Sequence, residues 1–155
     1  MLAAIAARIK TLTAEITLAD RRLKPLVTQT APRLSALLGV GPDVAGQLLT
    51  TAGDNPDRLH SEAALARLCG AAPIPASSGR TDRHRLHRGG DRQANRALYM
   101  IVLSRMRHDP RTRAYLERRT KQGLNSKDII RCRKRYVVRE VYTALLADYT
   151  ALNTP

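Results

Sequence analysis

The first 26 positions carry their apolar residues at a spacing that commits them to helix. Leu2, Ile5, Ile9, Leu12, Ile16, Ala19, Leu23 and Leu26 recur three and four residues apart, which puts them on one stripe of an α-helix. They also form a heptad seam, with Leu2, Ile9, Ile16 and Leu23 at a and Ile5, Leu12, Ala19 and Leu26 at d. Isoleucine at a with leucine at d favours a two-stranded coiled coil. The seam lasts under four heptads, so a helix packed on its own domain is the alternative. Pro25 and Pro32 are expected to mark the exit from this helix.

The helical period returns further along. Leu34 to Cys69 reads as three short helices. Pro42 suits the first turn of one running to about Thr51, and Ser61 with Glu62 starts another that ends at Gly70. From Gly70 to Gly90 the periodicity vanishes among prolines, serines, glycines and basic residues, a long loop of the kind that is usually functional. Asp91 can cap a helix with Ala94, Leu98, Ile101, Val102 and Met106 on one face. Asp109 and Pro110 cap and open the next, which Gly123 ends. Ser126 is expected to cap the last helix, whose stripe is Ile129, Ile130, Val137, Val141, Leu145 and Leu146. No segment has a strand period, and no internal repeat occurs. The expected fold is all-α: a coiled-coil arm over 1–31, a helical domain over 32–150 and a tail over 151–155. Within the domain fall a hairpin at 34–51, the loop at 70–90 and basic helices at 91–149.

The 155 residues are enough for one domain with a real core, and 43% apolar composition argues against disorder. The formal net charge is +14. Residues 80–139 hold nineteen Lys and Arg against five Asp and Glu, while the remainder holds eight of each. An excess confined to one stretch repels itself unless a polyanion is present; a solvated basic face is the plainer reading. Twenty-two of the 27 cations are Arg, whose planar fork meets phosphate oxygens bidentately. A membrane surface fits poorly, because the chain has neither Trp nor Phe to set opposite a basic helix face. No run of roughly 18 apolar residues exists to span a bilayer. The interleaved charges Arg8, Lys10, Glu15 and Asp20 exclude a signal peptide. Two distant cysteines, Cys69 and Cys132, rule out a disulfide framework and make a reducing cytoplasm the expected location.

Two local motifs carry chemistry. Leu38-Gly39-Val40-Gly41-Pro42-Asp43-Val44-Ala45 reads as a helix-hairpin-helix. Gly39 and Gly41 allow a tight turn and close backbone approach, and amides opening the second helix can hold a phosphate. An ordinary interhelical turn is the alternative. The second motif is Pro73-Ile74-Pro75-Ala76-Ser77-Ser78-Gly79-Arg80, followed by Arg83, Arg85, Arg88, Arg92 and Arg96. A serine attacking a phosphodiester needs its alkoxide and the transition state stabilised, and clustered guanidinium groups can do both. A turn serine is the plainer reading. His84 and His87 lack partners at metal-ligand spacing, no paired acids suggest a two-metal nuclease, and no Walker motif occurs.

In order, these pieces resemble the C-terminal part of the insertion-sequence 110/116/902 family of transposases. The resemblance covers roughly Leu34 to Tyr149. It rests on Gly39-Val40-Gly41-Pro42, Leu68-Cys69-Gly70-Ala71-Ala72-Pro73, Ser78-Gly79, Arg88-Gly89-Gly90, Arg96-Ala97-Leu98-Tyr99-Met100, Lys134-Arg135-Tyr136 and Arg139-Glu140. It implies an RNA-guided DNA recombinase in which a RuvC-like domain with four acidic residues binds magnesium. The C-terminal domain supplies a serine that forms a phosphoserine link to DNA, and an intervening coiled coil assembles the oligomer. Carried onto this chain, the serine is Ser78, with Ser77 as the other member of the doublet.

Arg80 and Arg88 are then expected to serve the serine. Nucleic-acid contacts are expected from Gly39, Gly41, Arg83, Arg85, Arg92, Arg96, Arg131, Arg133, Lys134, Arg135 and Arg139. The chain is expected to begin inside the arm and to lack the acidic domain, since none of its thirteen acids has the spacing to replace it. By itself it would then hold no cofactor and be weak or inactive. The expected partners are DNA, a guide RNA, and a second copy or an intact transposase. The competing reading is a truncated nucleic-acid-binding module that regulates an intact transposase. A ribosome-type RNA-binding protein is weaker still, because the Ser-Gly loop and Arg88-Gly89-Gly90 speak against it. The tyrosines Tyr99, Tyr115, Tyr136, Tyr142 and Tyr149 read as packing residues, and with no Trp or Phe base stacking cannot be widespread.

Overall fold

A computed structural model of the chain describes residues 1–54, 56–79, 84, 85 and 87–153. The helical periods become α1 (Leu2–Thr30), α2 (Pro32–Ser35), α3 (Pro42–Ala52), a 3-10 turn (Pro56–Leu59), α4 (Glu62–Leu68), α5 (Arg92–His108), α6 (Pro110–Lys121) and α7 (Ser126–Asn153). The expected starts of α4, α5 and α6 hold in detail. Ser61 Oγ accepts from Ala64 N–H, Asp91 from Gln93 and Ala94, and Asp109 from Arg111 and Thr112. Each satisfies amides that the first helical turn leaves unpaired.

Two expectations are corrected and a third is refined. Pro25 does not end the first helix; α1 runs through it to Thr30. The proline lies on an exposed face, where the carbonyl that its missing N–H would have served can turn to solvent. Its neighbours Leu23 and Val27 hold the helix down on α3, where Gly46 leaves them room: a Cβ there would sit 3.5 Å from Leu23 and 3.7 Å from Val27. The cap of α7 is Asn125, whose Oδ1 accepts from Asp128 N–H at 2.9 Å, and Ser126 is already inside the helix. The chain is mostly helical, in keeping with the all-α expectation, and adds one short ribbon. Within the expected loop, β1 (Ile74–Pro75) pairs antiparallel with β2 (His84–Arg85). Two residues per strand are too few to show a period, and Pro75 stands where an edge strand tolerates it.

The core is closed by α7, which buries Ile129, Val137, Val138, Val141 and Leu145 and packs on α5, α4, α2 and α6. Each such side chain contributes about 1.5–3 kcal/mol when fully buried. From α5 come Leu98, Ile101 and Val102, and α3 packs between α5 and the end of α1. Two charged residues tie the layers. Asp148 of α7, 2% exposed, accepts from the amides of Arg33 and Leu34 at 3.1 and 3.0 Å. Arg105 of α5, also buried, donates to Leu38 O at 2.8 Å and pairs with Glu140 at 2.7 Å. By contrast, residues 1–22 of α1 are exposed throughout.

Candidate nucleic-acid interface

Helical spacing places cations of two helices face to face. Tyr115, Arg118 and Arg119 share a side of α6, and Arg131, Lys134, Arg135 and Arg139 share a side of α7. Between these sides and the ribbon runs a groove of about 1140 Å³. Arg85, His84 and His87 line its other wall, with Gly70 to Pro73.

The ribbon wall is positioned by glycines. Gly90 has φ +101°, and a Cβ there would lie 2.7 Å from Arg67 O, Leu68 O and Gly70 N. Only glycine lets the chain cross the end of α4 that closely, and Asp91 N–H then bonds Leu68 O at 2.7 Å. Arg88-Gly89-Gly90 is therefore first a packing device that seats α5 on α4. Asn95 completes the joint by donating to Cys69 O and Gly70 O at 2.8 and 2.9 Å.

Lys134 stands on the groove floor. It is only 7% exposed, and Nζ donates to Asn95 Oδ1 at 2.8 Å. Burial, and secondarily the nearby Arg131 charge, push its ammonium below the usual lysine range. Arg135 and Arg139 share Glu62, at 2.7 and 3.1 Å. The hydrogen bond from Arg135 leads the effects that hold this carboxyl below its ordinary value. Arg131 pairs with Asp128.

Tyr115 and Tyr136 meet edge to face, 6.3 Å between centroids. Arg133 lies 5.3 Å from the first ring and 5.8 Å from the second, and bonds Thr112 Oγ1 at 2.8 Å. Such a guanidinium serves to lock α6 to α7. Burial raises the Tyr115 phenol above its ordinary value.

The expected site residues thus separate. Arg85, Arg131, Lys134, Arg135 and Arg139 line one groove. Ser77 and Ser78 are exposed beyond β1, in the connection that returns to β2, and neither lines the groove. Gly79 turns there with φ +60°. Arg88 is exposed past the far strand, and Arg92 and Arg96 are exposed on the opening turns of α5. Arg80 and Arg83 lie outside the described residues. Gly39, φ +84°, packs against Ile101 O and Ser104 of α5, while Gly41 is open and precedes α3. The exposed Asp43 adds a negative charge to that first turn.

Arg118, Arg119 and Asn95 were not singled out by sequence, and Tyr115 and Tyr136 were read there as packing residues only. Arg118, Arg119 and Tyr115 share a helical side, a signal that was present, whereas Asn95 acts through tertiary contacts alone. Among the described residues no three His, Cys, Asp or Glu side chains cluster closely enough to hold a metal. Nor is any described helix long and apolar enough to cross a membrane.

The model of the family described as Transposase IS116/IS110/IS902 matches residues 31–117. The chain is 35% identical over 123 residues to the insertion element IS110 uncharacterized 43.6 kDa protein of Streptomyces coelicolor, covering 77% of this chain and 29% of that protein. It is 33% identical over 86 residues to the insertion element IS900 uncharacterized 42 kDa protein of Mycobacterium paratuberculosis, covering 55% of this chain and 22% of that one. The chain therefore spans less than a third of either relative. On that match and that identity, the chain belongs to the IS116/IS110/IS902 family of transposases.

Proposed function

We propose that this chain is a DNA strand-exchange domain of a transposase. The observation that carries the reading is the groove, where Arg118, Arg119, Arg131, Lys134, Arg135 and Arg139 from two helices face Arg85 of the ribbon. Converging cations on a preformed surface suit the phosphates of DNA. The exposed hairpin tip offers Ser78 as the nucleophile, with Ser77 as its neighbour. The serine oxygen would bond to phosphorus while the bond to a sugar oxygen breaks. The serine proton is released, and the departing sugar oxygen is protonated. Attack by another strand's hydroxyl reverses the exchange. Arg88 and Arg80 would offset the negative charge that builds on the phosphate oxygens.

Gly39 and Gly41 would let the hairpin approach the DNA backbone. The exposed heptad seam would pair with a second copy or an intact transposase. Magnesium would be held by an acidic RuvC-like partner in this scheme. A guide RNA would choose the target, and the cytoplasm is the expected location.

A second reading is a nucleic-acid-binding module that does no chemistry. It is favoured by the position of Ser78 outside the groove. Covalent capture separates the two. The chain is incubated with nicked element-end DNA and magnesium, with and without a family RuvC-like domain and RNA. The recombinase reading expects an SDS-stable adduct in the complemented mixture that Ser78→Ala abolishes while DNA binding persists. If an intact transposase forms the adduct and the complemented chain does not, the binding-module reading stands.

A further inference from the structure

Within the groove, three donor groups face a shortage of acceptors. Arg119 Nε and Arg135 Nη1 are buried without a hydrogen-bond partner, and guanidinium nitrogens can only donate. Lys134 Nζ bonds the neutral Asn95 oxygen. Among the described residues, the carboxylates beside the groove are committed to other groups: Glu62 to Arg139 and the second terminal nitrogen of Arg135, and Asp128 to Arg131. On the facing wall His87 Nδ1 is also buried and unpartnered. Leaving buried donors unpaired costs about 1–3 kcal/mol each, more when they are charged. An anion entering the groove would bring acceptors to these cations once their side chains turn toward it.

The same groove holds an aromatic face. Tyr136 is 47% exposed, Tyr115 holds its ring by an edge contact, and the mobile-ended Arg139, 5.7 Å from the ring centroid, is the side chain a stacking base would displace. A ring fixed in advance loses little freedom when a flat partner stacks on it.

We propose that the groove seats an unpaired DNA strand, with one phosphate on Lys134, Arg135 and Arg119 and one base on Tyr136. This rests on the DNA reading above and adds the form of the DNA. A duplex presents its phosphates on a wide cylinder and keeps its bases stacked inside, so it reaches neither a floor as buried as Lys134 nor the ring. An unpaired strand can do both, as at other single-strand platforms. Recombination must generate such strands wherever duplexes open. Arg118, Arg131 and Arg139 then flank the path of the backbone.

The test uses the full chain and a short single-stranded DNA carrying 2-aminopurine, beside the blunt duplex of the same sequence at fixed salt. The single strand is expected to bind at least about tenfold tighter, with the 2-aminopurine quenched. Tyr136→Ala should weaken single-strand binding roughly 5- to 150-fold and remove the quench, and Tyr136→Phe should preserve both. Lys134→Met and Arg135→Gln should each weaken single-strand binding while keeping the quench at saturation. Arg107→Gln, exposed at the end of α5, should change affinity little. Thermal melts establish that each variant is folded. Equal or tighter duplex binding, or an intact quench in folded Tyr136→Ala, overturns the proposal. An RNA of the same sequence bound more than tenfold tighter overturns the assignment to DNA. If neither single strand nor duplex binds, the DNA reading itself fails; duplex binding without single-strand preference removes only this inference.

Discussion

Helices α1 and α7 are nearly equal in length, 29 and 28 residues, and both carry an apolar stripe. They differ in what covers it. Nine residues of α7 are buried, against Val27 alone in α1. In α1 the seam stands open, with Leu2 82%, Ile9 58% and Ile16 61% exposed. Periodicity therefore identifies the helix and the stripe but not the partner. The stripe of α7 is satisfied within the chain, which leaves its other side free to carry the basic groove. Over residues 2–22 the stripe of α1 is covered by none of the described residues, and its heptad spacing suits a second helix.

The largest expected effect tests that contrast directly. Leu145→Ala removes a fully buried side chain of α7 and should lower unfolding stability by about 2–5 kcal/mol. The double change Ile9→Ala and Ile16→Ala removes side chains exposed in the single chain, and should cost the monomer at most about 0.5 kcal/mol. Urea unfolding at low protein concentration measures both. Sedimentation should show the arm variant losing any self-association while Leu145→Ala retains it under folding conditions. A monomer as destabilised by the arm changes as by Leu145→Ala would mean that α1 folds back on its own domain.

A smaller effect should come from the joint between the two helices. Asp148 of α7 accepts the amides of Arg33 and Leu34 just after α1 ends. Asp148→Asn keeps the shape but replaces one accepting oxygen with a donor that faces an N–H. A loss of about 1–3 kcal/mol is expected, read from the same unfolding curves. A neutral result would show that the amides at the start of α2 find water instead.

Sequence anticipated much of this architecture where short-range chemistry decides it. Asp91, Asp109 with Pro110, and Gly123 punctuate helices by local bonding, and the α7 stripe is read from its period. The misses have a common cause. Pro25 is tolerated because Leu23 and Val27 are anchored elsewhere, and Asn125 won the cap from Ser126 through a geometry that spacing cannot resolve. The ribbon is set by pairing across nine residues, beyond any local period. For the site, composition pointed to a basic surface, but a charge count cannot tell a lining cation from a structural one. Arg105 belongs to the basic stretch yet clamps Leu38 O and Glu140, and Lys134 is buried against Asn95. The groove exists only once α6, α7 and the ribbon are together.

The two cysteines give the gentlest probe of the two sides of α7. Cys69 is fully buried in the core that α7 closes, and burial pushes its thiol up to about 12. Cys132 is half-buried and lines the groove. With the folded value of Cys69 above its unfolded one, only the unfolded chain loses that proton as pH rises past about 8.5. Stability should therefore fall by about 1.4 kcal/mol per pH unit from there until the folded value is reached. Below the unfolded value the thiol is protonated in both states and contributes no slope. Comparing wild type with Cys69→Ala across this window isolates the slope from other titrating groups, and equal slopes would show that the thiol ionises in place. At neutral pH a thiol reagent should modify Cys132 promptly and Cys69 only on unfolding. DNA seated in the groove should slow the Cys132 reaction and leave Cys69 unchanged, whereas unhindered labelling of Cys132 in a saturated complex would move the DNA to another face.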